Sequence, residues 1–165
     1  MSFDPIEEAR RQWHDHGWTD AADGMAVVTS IVRADQILQA RIDAVLRGLD
    51  LTFARYELLV LLDFSRRGAL PLGKIGARLQ VHPASVTNVV NRLESDALVV
   101  RVPHPEDGRT TLATLTPDGR RLARRATGLL NSDVFADLGL DVDEQTQLFA
   151  LLHKIRHAAG DFADR

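Results

Sequence analysis

The chain has 165 residues, 45% of them hydrophobic and 26% charged, with no cysteine and a net charge of -3. That is enough chain for one buried core, the balance reads as globular rather than disordered, and the lack of cysteine excludes a disulfide framework and a thiolate zinc site. No apolar run approaches the roughly 20 residues that cross a bilayer, and the charged start "MSFDPIEEARRQWHDHGW" has no secretory h-region. No membrane role is therefore expected, and the cytoplasm is the expected location.

In chain order, Asp4-Pro5 reads as an N-cap followed by Pro at the first helical position, opening a helix over 5–15. A break at 17–20 precedes a longer helix over 22–48. Its apolar residues Met25, Val28, Ile31, Val32, Leu38, Ile42, Val45 and Leu46 recur at three and four, and Gly48 ends it. "LTFARYELLVLLDFSRR" starts at the capping-type Thr52 and is apolar on most sides, which predicts a buried helix. "GALP" reads as a turn. A short helix over 72–79, a tight turn at 81–82 and a helix from Pro83 to Ala97 make a helix-turn-helix pattern. "LVVRV" and the alternating "TTLATLT" then predict a two-stranded hairpin across "HPEDGR". "TPDG" caps a helix over 117–136, and Asp141–Glu144 opens a last helix to 162. The expected fold is mostly α with a small β-hairpin wing. It divides into N-terminal helices over 1–50, a winged helix-turn-helix over 51–116 and C-terminal helices over 117–165, in one compact chain.

Charge is unevenly spread. Residues 74–125 hold nine Lys/Arg against five Asp/Glu, while the rest holds eleven against eighteen. A basic middle suggests a segment that meets an anion. At about 100° per residue, the helix from Pro83 puts Val86, Val89, Val90, Leu93 and Ala97 on one side. Ala84, Asn88, Asn91 and Ser95 fall on the other, flanked by Ser85, Thr87 and Arg92. This outer face lacks the Glu/Lys pairs of a solvated helix. Amides suit adenine, Arg suits guanine, and hydroxyls serve bases or phosphates. At the hairpin tip Gly108 allows a positive φ, Arg109 is presented to a narrow minor groove, and Asp107 is expected to hold its guanidinium. A polar solvent face and an ordinary surface hairpin are the alternatives.

Residues 52–125 resemble the MarR family of bacterial winged helix-turn-helix regulators. The motifs are "LTFARYELLVLL", "LGKIGARLQVHPASVTNVVNRLESDALVVRV" and "DGRTTLATLTPDGRRL", in that order. The resemblance implies a homodimer built on the terminal helices and a double-stranded DNA partner. It implies base and backbone contacts from Ser85, Thr87, Asn88, Asn91 and Arg92, and a wing contact from Arg109 supported by Asp107. It also implies release by a small aromatic or anionic effector. The Trp13 helix resembles the urate-responsive branch, which this chain departs from at Glu57 and Val89. Trp13, Trp18, Tyr56, Glu57 and Arg92 are the candidate effector contacts.

No cofactor, metal or catalytic residue is expected. "GALPLGKI" approaches a phosphate loop but has Ile75 where the Mg²⁺-binding hydroxyl belongs. His153 and His157 lie four apart without a third ligand. No nucleophile–base arrangement stands out, so an enzyme is not expected. The open alternatives are a helical small-molecule-binding protein whose winged helix serves protein contacts, and a constitutive regulator without an effector.

Overall fold

The computed structural model describes residues 3–107 and 109–163. Helix α1 (Pro5–Asp15) begins where the Asp4 carboxylate accepts from the Ile6 N–H at 2.8 Å, with Pro5 inside the first turn. It ends at Gly17, whose φ of 80° lets the Trp18 N–H return to the Trp13 carbonyl at 2.9 Å. Helix α2 (Thr19–Arg47) follows at once, three residues earlier than the periodicity predicted. Its 29 residues span roughly 43 Å, yet only Ala22, Ile42 and Leu46 are buried.

Helix α3 (Phe53–Phe64) is capped by the Thr52 hydroxyl and supplies Leu58, Leu59 and Leu62 to the centre of the core. Strand β1 (Ala69–Pro71), α4 (Leu72–Leu79), α5 (Pro83–Ser95), β2 (Val99–Pro103) and β3 (Thr111–Leu115) complete the winged unit. "GALP" is thus a strand rather than a turn. The wing is a three-stranded antiparallel sheet, β1-β3-β2, with Leu70 opposite Ala113 and Arg101 opposite that same Ala113 on the other side. Ile75, Val86, Val90, Leu93, Val99 and Ala113 close the core beneath it.

Helix α5 stops at Ser95, two residues short of the expected end. Ala97 sits in the following turn at φ 57° and is exposed, so it does not belong to the buried side of the helix. Helix α6 (Pro117–Leu130) is capped by Thr116 and runs into a π-helical turn, Asn131–Phe135. Gly119 packs on the 97–98 turn so closely that a Cβ there would lie 2.1 Å from the Leu98 carbonyl oxygen. Helix α7 (Val142–Ala158) opens with a reciprocal Asp141–Glu144 capping box and buries no residue.

Candidate nucleic-acid interface

The turn between α4 and α5 is set by two residues. Gln80 ends α4 in the left-handed region at φ 54°, and the His82 ring nitrogen Nδ1 accepts from the Ala84 N–H at 3.2 Å, capping α5. Val86, Val90 and Leu93 are buried and Val89 half-buried, as the helical spacing predicted. Ser85, Thr87, Asn88, Asn91 and Arg92 are all exposed. The Thr87 hydroxyl donates to the Pro83 carbonyl at 3.2 Å. The side chains of Ser85, Asn88 and Arg92 make no hydrogen bond or ion pair among the described residues. Their donors and acceptors are left to solvent or a ligand.

Asn91 differs from its neighbours. Its Oδ1 accepts from Nη2 of Arg101, on β2, at 2.6 Å. The other arm of that guanidinium pairs with Glu94, whose second oxygen accepts from the Arg101 backbone N–H at 3.1 Å. A second clamp holds the far end of α5. Arg55 pairs with Asp96 and donates to the Asp50 carbonyl at 2.9 Å, while its buried Nε has no partner. Neither clamp was foreseen. Helix-to-strand and helix-to-turn pairs obey no simple spacing rule, and complementary charge was the only hint in the sequence.

The wing tip is organised by Asp107, though not as expected. One carboxylate oxygen accepts from the Arg109 backbone N–H at 3.1 Å and the other from the Thr110 hydroxyl at 2.7 Å. The Thr110 hydrogen bond, then that from Arg109, holds the Asp107 carboxyl below its ordinary range. Asp107 therefore shapes the turn, and the Arg109 guanidinium is not among its hydrogen-bond partners. Arg109 is exposed and its guanidinium unpaired among the described residues. Gly108, expected to supply a positive φ, lies outside the described residues.

The basic surplus of the middle segment does not gather on this face. Arg120, Arg121, Arg124 and Arg125 lie on α6, beyond the end of β3 that is remote from the wing tip. Arg120 and Arg124 both pair with the largely buried Asp63, and Arg121 pairs with Asp118.

The candidate effector residues are scattered. Trp13 is half-buried and meets Trp18 edge-on at 5.2 Å, and Trp18 is 55% exposed. Tyr56 is buried, stacks on Phe53, and its hydroxyl lies 3.1 Å from that of Thr127. Glu57 lines a small cleft beneath α5 with Leu58, Leu79, Val81, Ser85, Val86 and Val89. Neither Trp, Tyr56 nor Arg92 shares that cleft. Burial among these apolar groups pushes the Glu57 carboxyl up. His153 packs on Phe149 and Phe162, and no metal-binding cluster occurs among the described residues. No helix among them is long and apolar enough to cross a membrane.

Outside the winged unit, apolar surface is left open. On α2, Val27, Val28, Ile31, Val32 and Ile37 are exposed; on α7, Val142, Leu148, Phe149, Leu151 and Ile155 are. A groove between the two helices has Val27, Ile31, Leu148, Leu151, Leu152 and Ile155 on its apolar side and Glu7, Arg10 and Asp23 on its charged side.

The profile of the MarR family matches residues 51–111. The crystal structure of Sco5413, a MarR family transcriptional regulator from Streptomyces coelicolor, is 50% identical, with a TM-score of 0.76 over 86% of this chain and 99% of that one. Bordetella bronchiseptica BpsR, whose DNA binding is regulated by 6-hydroxynicotinic acid, is 28% identical, with a TM-score of 0.72 over 84% of this chain and 94% of its own. Among curated proteins the similarity is shorter. The HTH-type transcriptional regulator MhqR of Bacillus subtilis is 36% identical over 98 residues, 59% of either chain, so this chain spans little more than half of that relative. With half of its residues shared across nearly the whole of a solved regulator, this chain belongs to the MarR family, a family of winged helix-turn-helix transcriptional regulators rather than enzymes.

Proposed function

We propose that the chain works as a homodimeric, sequence-specific DNA-binding regulator. In this reading it is a cytoplasmic repressor that leaves a pseudo-palindromic operator when a small aromatic or anionic effector binds. The observation that carries the DNA reading is the exposed amide, hydroxyl and guanidinium face of α5 beside an exposed, unpaired Arg109. Helix α5 would enter the major groove, where Ser85, Thr87, Asn88, Asn91 and Arg92 meet base edges and phosphates. Arg109 would enter the flanking minor groove, and Asp107 would act only by shaping the turn that presents it.

The dimer reading is supported by the open apolar rows of α2 and α7, since exposed apolar surface that is contiguous rather than scattered marks interaction sites. Residues 1–50 and 117–165 would pair with those of a second copy. Two recognition helices would then face successive major grooves, about one helical turn apart.

The effector reading places a ligand between these helices and the winged unit. A ligand can shift the DNA-bound equilibrium only by its differential affinity for the two states. Trp13, Trp18, Tyr56 and Arg92 remain its candidate contacts. Glu57 would repel an anion once charged, so an anionic ligand would have to avoid that cleft.

Selection of bound duplexes from a random pool tests the DNA reading. An inverted repeat is expected, with an affinity that falls steeply as salt rises. No enriched motif, or a flat salt response, would end it. A thermal-shift screen with aromatic acids and purines tests the effector reading, since a ligand of the native state raises the midpoint. A ligand that binds but leaves operator affinity unchanged would contradict it.

A further inference from the structure

The two ends of α5 are held by different parts of the chain. Its C-terminal end is fixed within the winged unit, by Arg55 on Asp96. Its N-terminal end, roughly 20 Å away along a 13-residue helix, is approached from outside. Gln80 stands two residues before the His82 cap and reaches a residue just beyond α7, 81 positions away. Its side-chain Nε2 lies 3.0 Å from the Asp161 carbonyl oxygen and 2.8 Å from Asp161 Oδ1. Both of those atoms accept, so the amide nitrogen faces them, and its two N–H groups meet two acceptors.

Both partners are fixed in place. Gln80 lies in the left-handed region at φ 54°, where the Val81 N–H returns to the Gly76 carbonyl at 3.1 Å. That geometry sets the direction in which the chain leaves α4 for α5. Beyond α7, Gly160 at φ 72° donates to the His157 carbonyl at 2.9 Å, and the Asp161 N–H donates to the Arg156 carbonyl at 3.1 Å. This is a Schellman turn. The second Asp161 carboxylate oxygen accepts from Arg156 Nε at 2.7 Å, and Phe162 packs on the His153 ring at 4.6 Å. Asp161 is thereby presented to Gln80 by the helix cap.

Exposed hydrogen bonds add little to stability. Their consequence here is positional. In the dimer reading α7 belongs to the face that meets a second copy, while α5 meets DNA. The Gln80–Asp161 contact ties the reader to the helix that determines where the other reader lies. A stiffer tie narrows the distance that a two-headed binder accepts.

We propose that Gln80 and Asp161 are positioning residues that pin the N-terminal end of α5 to α7 and so set the half-site spacing the dimer accepts. The inference rests on the DNA and dimer readings and adds to them what fixes the spacing.

The test compares affinity for the selected inverted repeat with affinity for the same repeat carrying one extra base pair between the half-sites, a turn of roughly 35°. The ratio of the two is the spacing penalty. Gln80→Gly removes the amide and keeps the left-handed turn, which glycine adopts freely. It should lower the penalty about fivefold, the scale of a hydrogen bond. Asp161→Ala should lower it less, since the backbone oxygen still accepts. The double variant should match Gln80→Gly alone, because both substitutions act on one contact. Affinity for an isolated half-site should stay within about twofold throughout, as for an independent site. Circular dichroism and dimer mass check that each variant folds and pairs.

A wild type that binds both duplexes equally would overturn the inference. So would an unchanged penalty in Gln80→Gly, a further fall in the double variant, or a loss of half-site affinity that leaves the penalty alone. An inverted repeat bound by a dimer with such an unmoved penalty sinks this inference by itself. No enriched motif, or a monomeric wild type, sinks the DNA or dimer reading and the inference with it.

Discussion

The winged unit and the long helices α2 and α7 treat their surfaces in opposite ways. The winged unit finishes itself within one chain. Apart from Phe64, Val81 and Val100, its large apolar residues are buried or half-buried, and α5 is tied to β2 through Arg101 and to the α2–α3 turn through Arg55. Helix α2 buries three of its 29 residues and α7 none of its 17, although both carry long apolar rows. The contrast separates what a single chain needs for stability from what it leaves for a partner. Polar side chains left unpaired on a rigid scaffold fit a ligand rich in hydrogen-bonding edges. Apolar side chains left uncovered fit a second apolar face.

Breaking the apolar half should have the largest effect. Ile31→Asp combined with Leu151→Asp puts charges into the proposed dimer face. The protein should sediment as a folded monomer, and DNA affinity should fall by about 10²–10⁴-fold as two linked half-sites become one. A doubly substituted dimer of unchanged mass would remove α2 and α7 from the interface.

Gly119→Ala strikes the winged unit instead. With a Cβ 2.1 Å from the Leu98 carbonyl oxygen, α6 must shift off the 97–98 turn. Thermal unfolding should show a loss at the upper end of the roughly 1–3 kcal/mol typical of overpacking. An unchanged midpoint would mean that α6 and the turn before β2 are not in contact.

Arg109→Ala sharpens the comparison from the polar side. It should weaken operator binding by about 1–3 kcal/mol in a gel-shift titration while leaving the dimer mass untouched. Undiminished affinity at physiological salt would remove the wing from the DNA contact.

The smallest expected effect concerns Glu57. Its carboxyl is raised in the folded chain, so folding takes up a proton more readily than the unfolded chain does. The charged carboxylate therefore costs stability above its raised pKa, and that cost disappears as pH falls below the ordinary Glu range near ~4.3. Glu57→Gln should raise the thermal midpoint slightly at neutral pH, with the gain vanishing in acid. A gain that grows in acid would contradict the burial account.

Much of this architecture was legible because it is local. The caps Asp4, Thr52 and Thr116 and the apolar spacing of Val86, Val90 and Leu93 carry their own signals over a few residues. Strand β1 was not legible. The three residues Ala69–Pro71 after Gly68 look like a turn, and only pairing with β3, more than 40 positions away, makes them a strand. The part played by Asp107 was misjudged for a related reason. The "DGR" spacing places carboxylate and guanidinium close together, but the backbone N–H of Arg109 and the Thr110 hydroxyl are closer still. Charge along the chain misled as well. Four of the nine basic residues over 74–125 lie on α6, three of them paired with Asp63 or Asp118. The Arg101–Asn91 contact needed the folded sheet to bring strand and helix together.

The central claim is that two copies, joined through α2 and α7, each present α5 and a wing to one face of a duplex. Its most direct test is affinity for a selected inverted repeat against the same repeat with about five base pairs inserted between the half-sites, half a helical turn. The account predicts that the insertion turns one half-site away and lowers affinity by about 100-fold or more. Equal affinity for the two duplexes would contradict it.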